Sequence, residues 1–227
     1  MAKRIPLGQR VVGENDRWAA ELAARFDRAG CLVLNLMSSP GAGKTALLER
    51  TARALARELR LAAVEGDLAT DHDARRLRDA GIPCRQINTG GGCHLSGKQV
   101  AEAVADYDLA ALDVLLIENV GNLVCPAAFD LGEHRRVVVS STPEGDDKPA
   151  KYPVAFHHAD CIVLNKIDLV GLTDFSVEAY RGYVRGVRPG VPLLELSCRS
   201  GQGLDAWFDW VRAQRAAVAR GEGRRRR

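Results

Sequence analysis

Cys31-Leu32-Val33-Leu34-Asn35-Leu36-Met37 runs directly into Ser38-Ser39-Pro40-Gly41-Ala42-Gly43-Lys44-Thr45. The first seven residues form a nearly unbroken apolar run, as in a strand covered on both faces of a parallel sheet. The next eight match the phosphate-loop pattern G-x-x-x-x-G-K-[ST], except that Ser38 stands at the first glycine. A predicted helix over about Lys44 to Leu59 follows, so the loop has the strand-to-helix setting the pattern requires. Glycines let backbone N–H groups close around phosphate oxygens, and the helix N-terminus adds a favourable field. On this reading Gly41, Ala42, Gly43 and Ala46 line the phosphates, Lys44 reaches the β- and γ-phosphates, and Thr45 binds Mg²⁺.

Outward from the loop, apolar runs alternate with helical patterns, which predicts an α/β fold with a mostly parallel sheet between helices. Strands are predicted at Leu61 to Glu65, Cys84 to Ile87, Asp113 to Glu118, Arg136 to Ser140, Cys161 to Asn165 and Pro192 to Ser197. A first helix is expected over about Asp16 to Arg28, with Trp18, Leu22, Ala23 and Phe26 on one face. A closing helix is expected over Gly203 to Ala219, with Leu204, Trp207, Phe208 and Val211 turned inward. Residues 1–30 read as a helical segment packed on the body, 31–220 as one nucleotide-binding domain carrying a metal site, and 221–227 as a disordered basic tail.

The 227 residues suffice for one large domain, and their 46% hydrophobic and 27% charged content is ordinary for a globular chain. The net charge of +3 comes from 32 basic and 29 acidic residues, but four of the basic ones are Arg224 to Arg227, and without them the balance is −1. The body is therefore not a nucleic-acid surface, and the arginine run reads as a solvated end. No apolar stretch approaches the ~20 residues of a membrane helix, and Met1 to Pro6 lack a signal peptide's apolar run. Six cysteines without compact spacing argue against a disulfide framework and for a reducing, cytoplasmic setting.

Asn165-Lys166-Ile167-Asp168 follows the apolar run Cys161-Ile162-Val163-Leu164 and resembles the N-K-x-D motif of GTP-binding proteins. There the aspartate accepts hydrogen bonds from guanine N1 and N2. Adenine lacks that donor pair and would leave the carboxylate unpaired, so ATP is disfavoured. Ser197-Cys198-Arg199 resembles the S-A-K loop that touches guanine O6, with Cys198 in place of alanine. Acidic candidates for Mg²⁺ are Asp67, Asp71, Asp73 and Glu118; one or two are expected to be ligands, and Asp71 or Asp73 can instead cap a helix.

A second constellation joins Thr89-Gly90-Gly91-Gly92-Cys93-His94-Leu95 to Glu118-Asn119-Val120-Gly121-Asn122-Leu123-Val124-Cys125-Pro126. Two thiolates and an imidazole suit Ni²⁺, Zn²⁺ or Cu⁺ far better than Mg²⁺. Cys93 and Cys125 can also be read as small core thiols. Three ligands leave a coordination shell to be completed by water, a partner or a second copy of the chain. The seven-residue step from Glu118 to Cys125 suggests that nucleotide and metal are linked.

The runs Glu65 to Arg76, Thr89 to Leu95, Glu118 to Pro126, Phe129 to His134 (F-D-L-G-E-H) and Glu144 to Pro149 (E-G-D-D-K-P) resemble the HypB family of hydrogenase nickel-incorporation GTPases. The likeness covers roughly residues 30 to 210. It implies a P-loop NTPase fold of the SIMIBI GTPase class and a slow GTPase that homodimerises with GTP. It also implies delivery of nickel to a [NiFe]-hydrogenase large-subunit precursor together with a HypA-type zinc/nickel accessory protein. By that resemblance Cys93, His94 and Cys125 hold nickel or zinc at the dimer interface, Asp73 and Glu118 join Thr45 at Mg²⁺, and Asp168 reads guanine. GTP or GDP, Mg²⁺ and Ni²⁺ are the implied ligands, with no nucleic acid and no membrane.

Met1 to Asp27 contain no Cys or His, so the nickel-storing N-terminal motifs of some family members are not expected. Related ATPases carry a loop lysine that reaches across a dimer; the matching position here is Ser39. No hydrolytic glutamine stands beside Glu118, so hydrolysis is expected to be slow until a partner completes the site. Cys31, Cys84 and Cys161 read as core thiols, and His134, His157 and His158 as surface or capping groups. Alternative readings are a GTPase serving urease or cobalamin enzymes, or a metal store with a vestigial loop. Cys-Pro-Ala at 125–127, where the urease family has Cys-Pro-His, weighs against the first, and the intact Lys44, Thr45 and Asp168 against the last.

Overall fold

The computed structural model describes residues 7–67 and 71–223, except the side chains of residues 7–12. In chain order the elements are α1 (Leu7–Ala29), β1 (Leu32–Ser38), α2 (Lys44–Leu55), β2 (Leu61–Asp67), α3 (His72–Asp79), β3 (Cys84–Asn88) and α4 (Gly97–Ala103). They continue with β4 (Val114–Gly121), α5 (Cys125–Ala128), β5 (Arg135–Ser141), α6 (Lys148–Lys151), α7 (Pro153–His157), β6 (Cys161–Asn165), α8 (Val177–Val187), β7 (Leu193–Glu195) and α9 (Leu204–Ala219). The strands form one seven-stranded sheet in the order β3-β2-β4-β1-β5-β6-β7. Every pairing is parallel, as the α/β alternation predicts.

Central strands β1 and β5 are buried at every position; β1 meets this with a nearly continuous apolar run, and β5 with Val137 to Val139 between the hydrogen-bonded Arg135 and Arg136 and two serines. One face of the sheet packs Leu47, Leu48 and Leu55 of α2 with Trp207 and Val211 of α9. The other face packs Leu22 and Phe26 of α1 with Val100 and Val104 at α4, and Phe156, Tyr180 and Val184 beneath α7 and α8. The Trp207 indole N–H donates to Thr51 Oγ1 at 2.8 Å, which lets a large ring sit fully buried in that layer.

Several boundaries depart from the sequence reading. Helix α1 starts at Leu7 rather than near Asp16, because the roughly 1 kcal/mol cost of Gly13 does not stop it. Strand β7 shrinks to three residues: Leu196 still donates to Leu164 O, but Ser197 N–H turns back to Gln202 O. Helix α4 escaped the periodicity, although its Ser96-x-x-Gln99 capping box was visible in the sequence. Helix α8, capped by Ser176, also went unread. Asp71 stands at the start of α3 but makes no cap; its carboxylate pairs with Arg75 at 2.9 Å.

His134 is not the surface or capping group the sequence suggested; it is buried. Its Nδ1 accepts the Val33 N–H at 3.0 Å and its Nε2 lies 3.0 Å from Asp27 Oδ1, which ties α1 to β1. His157 and His158 are exposed, and Cys31 and Cys161 are buried thiols whose pKa burial pushes up. Next to the chain end, Arg135 Nη1 donates to Gly223 O at 3.1 Å. Residues 1–6 and the arginine run 224–227, on which the terminal readings partly rested, lie outside the described residues. No described helix is long and apolar enough to cross a membrane.

Candidate functional site

Loops following the carboxyl ends of β1, β2 and β4 converge on one cavity of about 400 Å³. Such a crevice, at the carboxyl edge of an open parallel sheet, is where α/β folds bind ligands. After Ser38 the chain turns through Gly41 (φ 75°) and Gly43 (φ 102°), conformations that side chains disfavour. At Gly43 a Cβ would also collide with the Asn165 amide. Helix α2 then opens with Lys44 and Thr45, both buried. Lys44 Nζ donates to Ser38 Oγ at 2.8 Å, so the serine in place of the first glycine holds the amine.

Thr45 Oγ1 donates to Glu118 Oε1 at 2.7 Å, which leaves Glu118 Oε2 buried without a partner. Glu65 lies beside Glu118 in the β2–β4 register and has a buried, unpartnered Oε2 as well. Burial pushes the Glu65 carboxyl up to about 8, reinforced by Glu118, Asp67 and Asp73. Burial likewise raises Glu118 to about 7 against the opposing pull of Lys44 and Thr45. The cavity wall includes Asp67 and Asp73 but not Asp71. Crowded, desolvated carboxylate oxygens beside a threonine hydroxyl fit a hard divalent cation such as Mg²⁺. Arg76, also in the wall, spans Asp73 (2.9 Å) and Glu49 (2.6 Å).

A second cavity of about 380 Å³, bounded by Ala46, Glu49, Arg50, Arg53 and Cys198, adjoins the first at Ala46. Asn165 organises this side: its Nδ2 donates to Ala42 O at 2.9 Å, and its Oδ1 accepts from Lys166 N (2.8 Å) and Cys198 N (3.1 Å). Lys166 has φ 62° and places its amine 2.8 Å from Gly41 O. Arg50 fixes the loop Ser197-Cys198-Arg199 through the carbonyls of Cys198 and Arg199. Ser197 Oγ accepts from Ser200 N within that loop. Asp168 Oδ1 is buried and unpartnered, as an acceptor awaiting a donor would be.

The donor atoms of Cys93, His94 and Cys125 lie within 4.8 Å of one another. Cys93 is exposed, and the other two are half-buried. The two Sγ atoms are 2.7 Å apart, and Cys93 Sγ is 3.6 Å from His94 Nδ1. Sharing a hydrogen bond with Cys125 raises the Cys93 thiol, while burial lowers the His94 imidazole and favours its neutral, ligating form. The Phe129 ring stacks on His94 at 3.8 Å and 25°. Asn122 Nδ2 donates to Cys93 O at 3.3 Å, fastening the Cys93 loop to the segment that carries Cys125.

Sequence reasoning missed four neighbours of these sites. Glu65 sits two residues before Asp67 but was read only as a strand end. Asn119 and Arg76 line the first cavity. Lys148 Nζ reaches Ser39 Oγ at 3.1 Å, so the loop receives an amine from α6 although it carries none at that position. The E-G-D and E-G-D-D-K-P runs held the signal for Glu65 and Lys148; only the tertiary fold brings them to the loop.

Fold and cavities together define a nucleotide-binding protein of the CobW/HypB/UreG class, whose family model, described as "CobW/HypB/UreG, nucleotide-binding domain", matches residues 32–195. Within that class the chain belongs to the HypB family of hydrogenase maturation factors. The "Hydrogenase maturation factor HypB" of Azotobacter vinelandii is 51% identical over 219 residues, covering 96% of this chain and 72% of the relative. The crystal structure of HypB from Helicobacter pylori in complex with nickel superposes with a TM-score of 0.87 at 37% identity, covering 94% of this chain and 99% of that one. The hydrogenase maturation factor HypB from Archaeoglobus fulgidus gives 0.84 at 36% identity, covering 89% and 99%.

Proposed function

We propose that the chain is a slow, GTP-hydrolysing metallochaperone that carries nickel toward a [NiFe]-hydrogenase large-subunit precursor. It homodimerises with GTP and works with a HypA-type zinc/nickel accessory protein. The observation that carries this reading is the S₂N cluster of Cys93, His94 and Cys125, in which Cys125 lies four residues past β4, the strand that bears the cavity carboxylate Glu118. That the Helicobacter pylori relative is seen in complex with nickel supports nickel as the cargo. Zinc suits the same donor set.

In this reading Gly41, Ala42, Gly43 and Ala46 line the phosphate path with backbone. Lys44 leaves Ser38 Oγ for the β- and γ-phosphates, and Asp168 accepts from guanine N1 and N2. Asn165, Lys166, Ser197, Cys198 and Arg199 hold the base loop. Thr45, Glu118, Asp73 and Asp67 would hold Mg²⁺, which when bound neutralises charge developing on the transferred phosphate. Lys44, Thr45, Asp73 and Glu118 are the residues closest to that chemistry.

Nickel bound through thiolates absorbs in the near ultraviolet. Titration of Ni²⁺ into the wild-type chain should produce that band, and Cys125→Ala should remove it. A wild type without any thiolate-to-nickel band would sink the cargo site. Retention of GTP over ATP by the same protein checks the base assignment.

A further inference from the structure

The loop that carries Cys93 and His94 is fastened at both ends to residues beside the cavity acids. At its start, Thr89 N–H and Oγ1 reach Asp67 O at 3.0 and 3.3 Å. At its end, Leu95 N–H donates to Asn119 Oδ1 at 3.2 Å, and the Leu95 side chain is fully buried. Leu95 packs where Gly66 has no side chain: a Cβ on Gly66 would fall 2.6 Å from Leu95 Cδ2. Gly66 stands between Glu65 and Asp67, and Asn119 follows Glu118. Thus the residues that grip the loop are sequence neighbours of the carboxylates.

Asn119 is the hub of this arrangement. It is 1% exposed and lines the phosphate cavity. One amide makes three bonds: Oδ1 accepts from Leu95 N and, at 3.0 Å, from Val120 N, while Nδ2 donates to Asn35 Oδ1 on β1 at 3.2 Å. Asn35 Nδ2 is itself buried without a partner, so Asn35 contributes only its oxygen to this network. A shift of β4 at Glu118 therefore cannot leave the Asn119 amide in place without breaking a buried hydrogen bond. The short route from cavity to cluster runs through this amide to Leu95, one residue from His94.

We propose that Asn119 is the positioning residue through which nucleotide state sets the metal affinity of Cys93, His94 and Cys125. The connection through Leu95 acts beside the covalent one from Glu118 to Cys125. This rests on the nickel and GTP assignments above. Coupling between two sites is a free energy, read as the ratio of metal affinities in two nucleotide states.

The experiment is Ni²⁺ titration of the full chain with GDP and with a non-hydrolysable GTP analogue, for wild type, Asn119→Ala, Asn119→Asp and Asn15→Ala. Asn15 Oδ1 accepts from Gly97 N at 2.8 Å, just beyond the same loop but on the α1 side, so its loss loosens the segment away from the nucleotide. The wild-type ratio should differ from one, Asn119→Ala should bring it to within about twofold of one, and Asn15→Ala should leave it unchanged. Asn119→Asp keeps the acceptor for Leu95 and should retain most of the ratio. If Asn119→Ala does not fold, Asn35→Ala, which removes the group orienting the same amide, takes its place with the same expectation. A wild-type ratio in Asn119→Ala, or an equal loss in Asn15→Ala, overturns the proposal while the GTP and nickel assignments stand. A ratio of one in the wild type overturns the nucleotide switch itself, and the coupling with it.

Discussion

The nucleotide cavity and the metal cluster are built in opposite ways. Lys44, Thr45 and Glu118 are all buried, set on β4 and the first turn of α2, with Lys44 donating to Ser38 at 2.8 Å and Thr45 to Glu118 at 2.7 Å. Cys93, by contrast, is exposed on a loop, and Cys125 opens a helix of only four residues. The first arrangement keeps charged groups in place at the expense of desolvation. The second leaves its ligands within reach of water and of another protein. On the proposed function, a binding site that must keep its shape and a cargo site that must release differ in this way.

Lys44→Ala gives the largest effect that could break the comparison. Removing the buried cation costs about 2–5 kcal/mol of phosphate binding, so GTP affinity should fall about thirtyfold or more, with Ni²⁺ affinity in the absence of nucleotide unchanged. Calorimetry with each ligand measures both. Asp168→Asn comes next: an amide that presents a donor to guanine should weaken GTP by about ten- to a hundredfold, and its selectivity over ATP should narrow. Equal GTP binding by this variant would mean that the unpartnered Oδ1 has another use.

On the metal side Cys125→Ala should weaken Ni²⁺ by at least about tenfold and leave GTP binding within about twofold, because the nucleotide groups do not depend on the thiol. A large loss of GTP affinity would show the two sites to be one rigid unit.

The pH dependence sharpens the contrast in stability. Glu65 and Glu118 have carboxyl pKa values raised from 4.5 to about 8 and about 7. The folded chain therefore keeps protons that the unfolded chain has released. That contribution is fully present below about pH 4.5 and is lost as the pH rises through about 7 and 8. The melting temperature of the nucleotide-free chain should fall by a few degrees between about pH 5.5 and 8.5, and excess Mg²⁺ with GDP should flatten the fall. A melting temperature that rises across this range would contradict the burial of the two acids. The smallest expected effect is that of Phe129→Leu. Loss of the ring stacked on His94 should cost about 0.5–1.5 kcal/mol, weakening Ni²⁺ by about two- to tenfold without moving the melting temperature much.

Much of this was legible in the chain itself. The loop at residues 38–45, Asn165 to Asp168, and the Cys93-His94 and Cys125 runs are contiguous, and contiguous motifs carry their geometry with them. The parallel sheet followed from seven apolar runs separated by helical lengths. Glu65 and Asn119 were not legible, because each is an ordinary polar residue at a strand end until β2 and β4 are placed side by side. His134 was misread for a related reason: its burial depends on α1 lying across β1, which no local pattern states. Asp71 looked like a cap until Arg75, one helical turn away, took its carboxylate.

The sequence by itself determined the parallel α/β architecture, the order of the nucleotide motifs and the soft-ligand set. These depend on residue type and spacing along one segment. The tertiary structure alone decided how the segments meet: Lys148 at Ser39, Glu65 beside Glu118, and the Asn119 amide between cavity and metal loop. Such contacts join residues far apart in the chain, and only burial, which makes an unpaired amide or carboxylate costly, selects which of them form.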